Sequence, residues 1–138
     1  MLPHVIAYNA SVPTKFMPSP NQRAYVAHKK YAMIADLLGL GGHTIEEKVK
    51  NLVTAIEQLL DQLAMPRSIA DLGISKEEFE RAIPDLAKIA FDDPSWRSNP
   101  RMPLISELVE LFWSAYHGRG PAKATSASQQ QTEIEVCL

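Results

Sequence analysis

The sequence predicts an all-α fold. Several stretches place apolar residues at spacings of three and four behind helix-capping residues, and glycine or proline supplies the stop after them. Strict alternation occurs only at Val5–Tyr8, which is too short to carry a sheet.

The elements follow in order. Ser11–Pro20 holds Pro13, Pro18 and Pro20 and no acidic residue, a density that blocks helix and sheet ladders and reads as an ordered loop. Ser19-Pro20-Asn21-Gln22 offers a Ser cap, a Pro at the first helical position and a Gln at the third. With Gly39 as the stop, this predicts a first helix near 20–38, burying Ala24, Ala27, Tyr31, Ile34, Ala35 and Leu38. Thr44-Ile45-Glu46-Glu47 is a capping box that opens a second helix. Val49, Leu52, Val53, Ile56, Leu59, Leu60 and Leu63 share one face of it until Pro66 forbids continuation. Ser68–Gly73 reads as a cap, one turn and a glycine stop. Ser75-Lys76-Glu77-Glu78 is a third box, and Pro84 predicts two short helices, the second through Leu86, Ala87, Ile89 and Ala90. After a loop at 92–102, a last helix carries Leu104, Leu108, Leu111, Phe112, Ala115 and Tyr116 and ends at Gly118. Gly120–Gln131 has no large apolar side chain to offset its ordering entropy and is expected to be disordered. The expected organisation is a lead-in and proline-rich loop at 1–20, a helical domain at 21–118, and a disordered tail at 119–138.

Composition narrows the function classes. The 138 residues are 46% apolar and 22% charged, the balance of an ordinary globular domain. Fourteen Lys and Arg against sixteen Asp and Glu leave a net charge of −2, so nothing favours a phosphate backbone and nucleic acid is not an expected partner. No apolar run reaches the ~18 residues of a membrane span, and the N-terminus lacks a signal-peptide layout, so no membrane association is expected and the chain reads as cytoplasmic. One cysteine, Cys137, excludes an internal disulfide and a cysteine-based zinc cluster.

Local motifs add no chemistry. His4, His28, His43 and His117 fall in different elements without metal-ligand spacing. Asp92-Asp93 suits a polar helix end better than a pair of acting carboxylates. Gly39, Gly41 and Gly42 follow a helix, so they read as its stop and not as a phosphate loop. Ser95 has no histidine near it in sequence to act as a base. Trp113/Tyr116 and Tyr25/Tyr31 sit at helical spacings suited to core or interface packing.

Three ordered stretches carry a more specific signal: Leu2-Pro3-His4-Val5-Ile6-Ala7-Tyr8-Asn9, Tyr31-Ala32-Met33-Ile34-Ala35-Asp36-Leu37-Leu38-Gly39-Leu40, and Phe91-Asp92-Asp93-Pro94-Ser95-Trp96-Arg97-Ser98-Asn99-Pro100-Arg101. In this order, over about 1–118, they resemble the C-terminal helical domain of iron-containing alcohol dehydrogenases. Val12-Pro13-Thr14-Lys15 and Pro103-Leu104-Ile105-Ser106-Glu107-Leu108 resemble the bifunctional aldehyde-alcohol dehydrogenase branch. The resemblance implies a truncated dehydroquinate synthase-like fold and a family activity of alcohol/aldehyde interconversion. Intact members pair an NAD-holding nucleotide-binding domain with a helical domain that completes an iron site of one Asp and three His. The resemblance implies that all of these ligands lie upstream of Met1. The last iron-binding His stands in a His-Gly pair before the segment matching Leu2-Pro3-His4, so His4 is not that ligand. No catalytic, cofactor-binding or metal residue is therefore expected in this chain.

The loop Asp93–Arg101 matches a segment lining the family's substrate cleft, which makes Ser95 and Trp96 the candidate site residues. Ser95 stands where relatives often have Cys. Met1 coincides with an apolar position often internal in relatives, which reads as a truncation product, a gene remnant or a mis-assigned start.

The expectation is a C-terminal fragment, inactive alone, whose partner is a nucleotide-binding domain or a full-length dehydrogenase. The alternative is an independent helical module that docks on such an enzyme or self-associates as a homo-oligomer. A domain cut from its partner exposes apolar surface, with Val5, Ile6, Trp96 and Phe112 the expected exposed side chains and marginal stability the expected result.

Overall fold

The structure is a computed structural model that describes residues 1–13 and 24–118, with the side chains of Trp96 and Arg97 outside the description. It holds helices α1 (Leu2–Ala10), α2 (Ala27–Leu37), α3 (Ile45–Gln62), α4 (Lys76–Asp92) and α5 (Ile105–His117), with 3-10 turns at Ala70–Leu72 and Pro94–Ser98. No strand occurs among the described residues, as the sequence predicts.

The helices form two hairpins, α2 against α3 and α4 against α5. α1 packs on α3 and α2 and also reaches α5, which joins the two halves. The halves have different cores. On the α2–α3 side the buried side chains are small or medium: Ala27, Ala32, Ala35, Val49 and Leu52, with Ile6 from α1. On the α4–α5 side the core is aromatic, built from Phe79, Ile83 and Tyr116 with Ile69, Ile74, Val109, Phe112 and Trp113 around them. Phe79 stacks on Tyr116 at 4.6 Å between centroids and meets Trp113 edge-on at 5.5 Å. The Trp113/Tyr116 pair expected to pack does so, at 5.6 Å and near right angles.

The capping box at Thr44 forms where the sequence places it, the hydroxyl half of the box forms at Ser75, and the cap read at Ser19 lies outside the described residues. Thr44 Oγ1 accepts from the Glu47 amide at 3.1 Å while Glu47 Oε2 accepts from the Thr44 amide at 3.2 Å. Ser75 Oγ accepts from the Glu78 amide at 3.2 Å. After α2, the Gly39 amide donates to the Asp36 carbonyl and the Leu40 amide to the Ala35 carbonyl, a Schellman stop. α3 ends on the same bonds, with Ala64 in the left-handed position where glycine is usual. The Ser68–Gly73 turn forms as read, its Ser68 Oγ accepting from the Asp71 amide at 2.9 Å.

Five expectations are corrected. The lead-in is a helix: Pro3 suits the first turn, and Pro3, Ile6 and Asn9 then fall on one buried face, so the short alternation at Val5–Tyr8 is incidental. The next helix begins at Ala27 and not near 20. Ala24–Val26 are non-helical, and Tyr25 donates its hydroxyl to the Asn9 carbonyl; residues 20–23 lie outside the described residues. The two short helices expected around Pro84 are one helix, because the carbonyl that Pro84 deprives of a partner belongs to Glu80, and both residues are exposed where water can replace the bond.

The buried stripes also shift. α2 turns Ala27, Ala32 and Ala35 inward and leaves Ile34 exposed, since small side chains let α2 lie close to α3; Ala24 ahead of the helix and Leu38 at its C-cap are exposed as well. α3 is 18 residues long against 11 in α2, so its end runs past its partner and Leu59 and Leu63 face outward. In α4 the inward row is Phe79, Ile83 and Ala87, with Leu86 and Ile89 exposed, and Leu104 precedes α5 in the open. Finally, Ile6 is buried and Val5 and Phe112 are partly buried, while Trp96 falls outside the description. The exposed apolar side chains are instead Met33, Leu37, Leu38, Leu63 and Ile89 among others. No large side chain among the described residues is fully buried, so the core is thin. The expected tail, 119–138, lies outside the described residues.

Candidate functional site

The 94–98 turn that carries Ser95 follows the end of α4. Asp92 is the last residue of α4 and Asp93 its cap, so this acidic pair is the polar helix end that its sequence suggests. Asp93 Oδ1 accepts the Ser95 amide at 2.7 Å and Ser98 Oγ donates to the Ser95 carbonyl at 2.7 Å, which closes the turn on itself. The Ser95 hydroxyl and amide hold the Asp93 carboxyl below its ordinary range. Ser95 is exposed and lines a cavity of about 410 Å³. Val5, Ala90, Pro103, Leu108 and Leu111 give it apolar lining from both α1 and the α4–α5 half, and Tyr8, Ser95, Ser98 and Asn99 supply polar groups.

A polar cluster flanks this cavity. Tyr8 and Asn9 lie in the last turn of α1, Asn99 and Arg101 in the loop after the turn, and Glu107 in the first turn of α5. Asn9 and Asn99 exchange amide hydrogen bonds, Nδ2 of each donating to Oδ1 of the other at 2.9 and 3.0 Å. Asn9 is 2% exposed, so this pairing answers a full desolvation cost. Asn99 Nδ2 also donates to the Arg101 carbonyl, and the Arg101 guanidinium donates to the Tyr8 carbonyl at 3.3 Å and pairs with Glu107. That guanidinium lies 4.0 Å over the Tyr8 ring, whose hydroxyl donates to Glu107 at 2.8 Å.

The electrostatics follow from these bonds. Burial, reinforced by the bond to Glu107, pushes the Tyr8 phenol well above its ordinary range, and burial raises Tyr25 as well. Burial pushes Glu107 up, but the Leu104 amide at 2.8 Å, the Tyr8 hydroxyl and Arg101 together outweigh it and hold Glu107 below 4.5. A carboxyl depressed in the fold stabilises it above its unfolded value and loses that contribution as pH falls through the folded value. Acid unfolding followed by circular dichroism should therefore steepen below about pH 4.5, and Glu107→Gln should be less stable at pH 7 with a flatter acid limb. An unchanged acid limb would show that Glu107 is not the group responsible.

The sequence singles out Ser95 and Trp96, the side chain of the latter lying outside the description, and does not point to this cluster. Tyr8, Asn9, Asn99 and Arg101 stand in the matched stretches ending at Asn9 and Arg101, and Glu107 in the stretch at 103–108, but no local spacing announces that residues 90 apart meet. The histidines stay apart: His4 on α1, His28 on α2, His43 before α3 and His117 at the end of α5, stacked on Trp113. His28 lines a second cavity with Glu46, which makes two candidate ligands and not three. Among the described residues no group of three or more His, Cys, Asp or Glu could hold a metal ion, so these residues do not by themselves fit an iron centre. No helix among them is long and apolar enough to cross a membrane.

Comparison with known proteins gives this architecture its relatives. The model of the Fe-containing alcohol dehydrogenase family, C-terminal, matches residues 1–116. The chain is 37% identical over 117 residues to the aldehyde-alcohol dehydrogenase of Clostridium acetobutylicum, covering 84% of this chain and 14% of that protein. It is 34% identical over 118 residues to the aldehyde-alcohol dehydrogenase of Streptococcus pneumoniae serotype 2, covering 86% and 13%. To the bifunctional aldehyde-alcohol dehydrogenase AdhE of Escherichia coli K12 it is 35% identical over 131 residues, covering 93% and 15%. The chain thus spans only 13% to 15% of the length of these relatives. Because the family match runs from α1 into the last turn of α5, the chain belongs to the iron-containing alcohol dehydrogenase family, as its C-terminal helical domain.

Proposed function

We propose that this chain is the helical C-terminal part of an iron-dependent, NAD-linked alcohol dehydrogenase that interconverts alcohols and aldehydes. The 138 residues do not catalyse this reaction by themselves. The family match over residues 1–116 is the observation that carries the reading. The Ser95 turn and the cavity beside it form a wall of the substrate cleft, its apolar side from α1, α4 and α5 suited to a short hydrocarbon chain. Trp96 belongs to the same cleft loop. The nicotinamide chemistry comes from a nucleotide-binding domain that packs with α1 to α5, and the metal ligands are residues other than those described.

The test has two arms. The purified 138-residue chain, given ferrous iron, NADH and acetaldehyde, should oxidise no NADH above a heat-treated, metal-free control. Placed in the E. coli relative in exchange for the matching 131 residues, the same chain should give measurable acetaldehyde-dependent NADH oxidation. Turnover by the chain alone, or a folded chimera without any, overturns the reading.

A second reading rests on a different observation. Met33, Ile34, Leu37 and Leu38 are exposed along α2, Leu37 by 84%, an apolar strip that a monomer in water leaves uncovered. In this reading the chain is a helical module that self-associates or docks on a full-length dehydrogenase. Sedimentation of the purified chain separates the two: a monodisperse dimer favours the module.

A further inference from the structure

We propose that Asn9, Asn99, Arg101 and Glu107 are positioning residues that latch the two halves of the domain together and so set the width of the Ser95 cavity. The argument starts from how α1 is held. It packs on α3 and α2 through Ile6 and its neighbours, and its contact with α5 is smaller. Non-directional apolar packing fixes α1 to the α2–α3 half. Across the other boundary the bonds are polar and directional: the Asn9/Asn99 exchange, Arg101 to the Tyr8 carbonyl, and Tyr8 to Glu107. Tyr25, just before α2, extends the same chain of bonds by donating to the Asn9 carbonyl.

The cavity lies along this boundary. Val5 and Tyr8 come from α1, whereas Ser95, Leu108 and Leu111 come from the opposite half. Any change in the spacing of α1 and α5 changes the separation of those walls. The latch fixes that spacing at several points at once. Asn99 anchors the loop, Arg101 bridges the loop to both α1 and α5, and Glu107 gathers Tyr8, Arg101 and the Leu104 amide on one carboxylate. Arg101 and Glu107 are 18% and 23% exposed at their side chains, so their pairing is partly shielded from water.

That this cavity faces substrate rests on the function proposed above; the latch itself does not. Spin labels test it without any turnover. In a Cys137→Ser background, labels at Ala7→Cys and Glu110→Cys report α1 against α5, and labels at Met33→Cys and Thr54→Cys report α2 against α3. All four positions are exposed. The wild-type latch should give one narrow distance distribution for each pair. Asn99→Ala should broaden the α1–α5 distribution and leave the α2–α3 distribution narrow. The double variant Asn9→Ala/Asn99→Ala should be no broader than Asn99→Ala alone, because that single change already removes both bonds of the reciprocal pair. Arg101→Ala should broaden the α1–α5 distribution more than Arg101→Lys, which keeps the charge but loses the fork that serves two partners. An α1–α5 distribution unchanged by Asn99→Ala overturns the latch, as does broadening of both pairs together, which would mark general loosening. A chimera without activity but with this broadening pattern would instead count against the proposed function alone.

Discussion

Phe79→Ala is expected to unfold the α4–α5 half of the domain near room temperature. The ring is 4% exposed, stacked on Tyr116 and edge-on to Trp113, at the centre of the one aromatic cluster among the described residues. Truncating a buried Phe costs about 3–5 kcal/mol, from lost transfer energy and from the cavity left behind. A normal domain has only ~5–15 kcal/mol in hand, and this one has no large side chain fully buried among its described residues, which places it toward the low end. At about 4 °C per kcal/mol for a chain of this size, the melting temperature should fall by ~12 °C or more. Phe79→Leu keeps most of the volume and should lose much less. Circular dichroism melts of both variants decide the matter; a fall under ~4 °C for Phe79→Ala would mean that the cluster does not hold this half together.

Gly118→Ala should be the most damaging single methyl group in the described chain. Gly118 has φ 82° and ψ −167°, a backbone region essentially closed to residues with a Cβ. An added Cβ would stand 2.5 Å from Ser68 Cβ and 2.7 Å from the Arg67 carbonyl oxygen, and a backbone oxygen cannot swing aside. The contact matters because the end of α5 is where the α3–α4 connection docks, the Ile69 amide donating to the Ala115 carbonyl at 3.0 Å. Strain of ~1–3 kcal/mol plus the clash should pull that connection away and expose the Ile69 amide to exchange. Gly73→Ala is the matched comparison: its φ is also 82°, but nothing lies within 4 Å of the added Cβ, so only the left-handed strain of ~1–2 kcal/mol remains. Equal destabilisation by the two variants would show that crowding against Ser68 and Arg67 is not the cause.

Both sites show what was and was not legible in the chain. Gly118 and Gly73 are readable as helix stops from their place after the apolar rows, yet only the fold distinguishes the one pressed against Arg67 and Ser68 from the one in open space. Thr44 with Glu47 and Ser75 with Glu78 could be paired from sequence because a capping bond closes within three residues. The helical class, the turn at Ser68–Gly73 and the extent of α5 were local properties of this kind, and sequence determined them. The family resemblance in the three matched stretches was also fixed in the order of residues, before any contact was known.

Tertiary structure decided the rest. Whether Leu59, Leu63 and Ile89 face a partner or water depends on the length and angle of the neighbouring helix, which periodicity along one helix does not encode. Pro84 could remain inside α4 because the carbonyl it orphans lies on the solvent side, and the solvent side is set by where α5 packs. The candidate site followed the same rule. Ser95 could be singled out from its loop, but the cluster beside it joins Asn9 to Asn99 and Tyr8 to Glu107 across most of the chain. Such pairs have no period and no spacing; they exist because α1, buried by Ile6 against one hairpin, brings its last polar turn against the other.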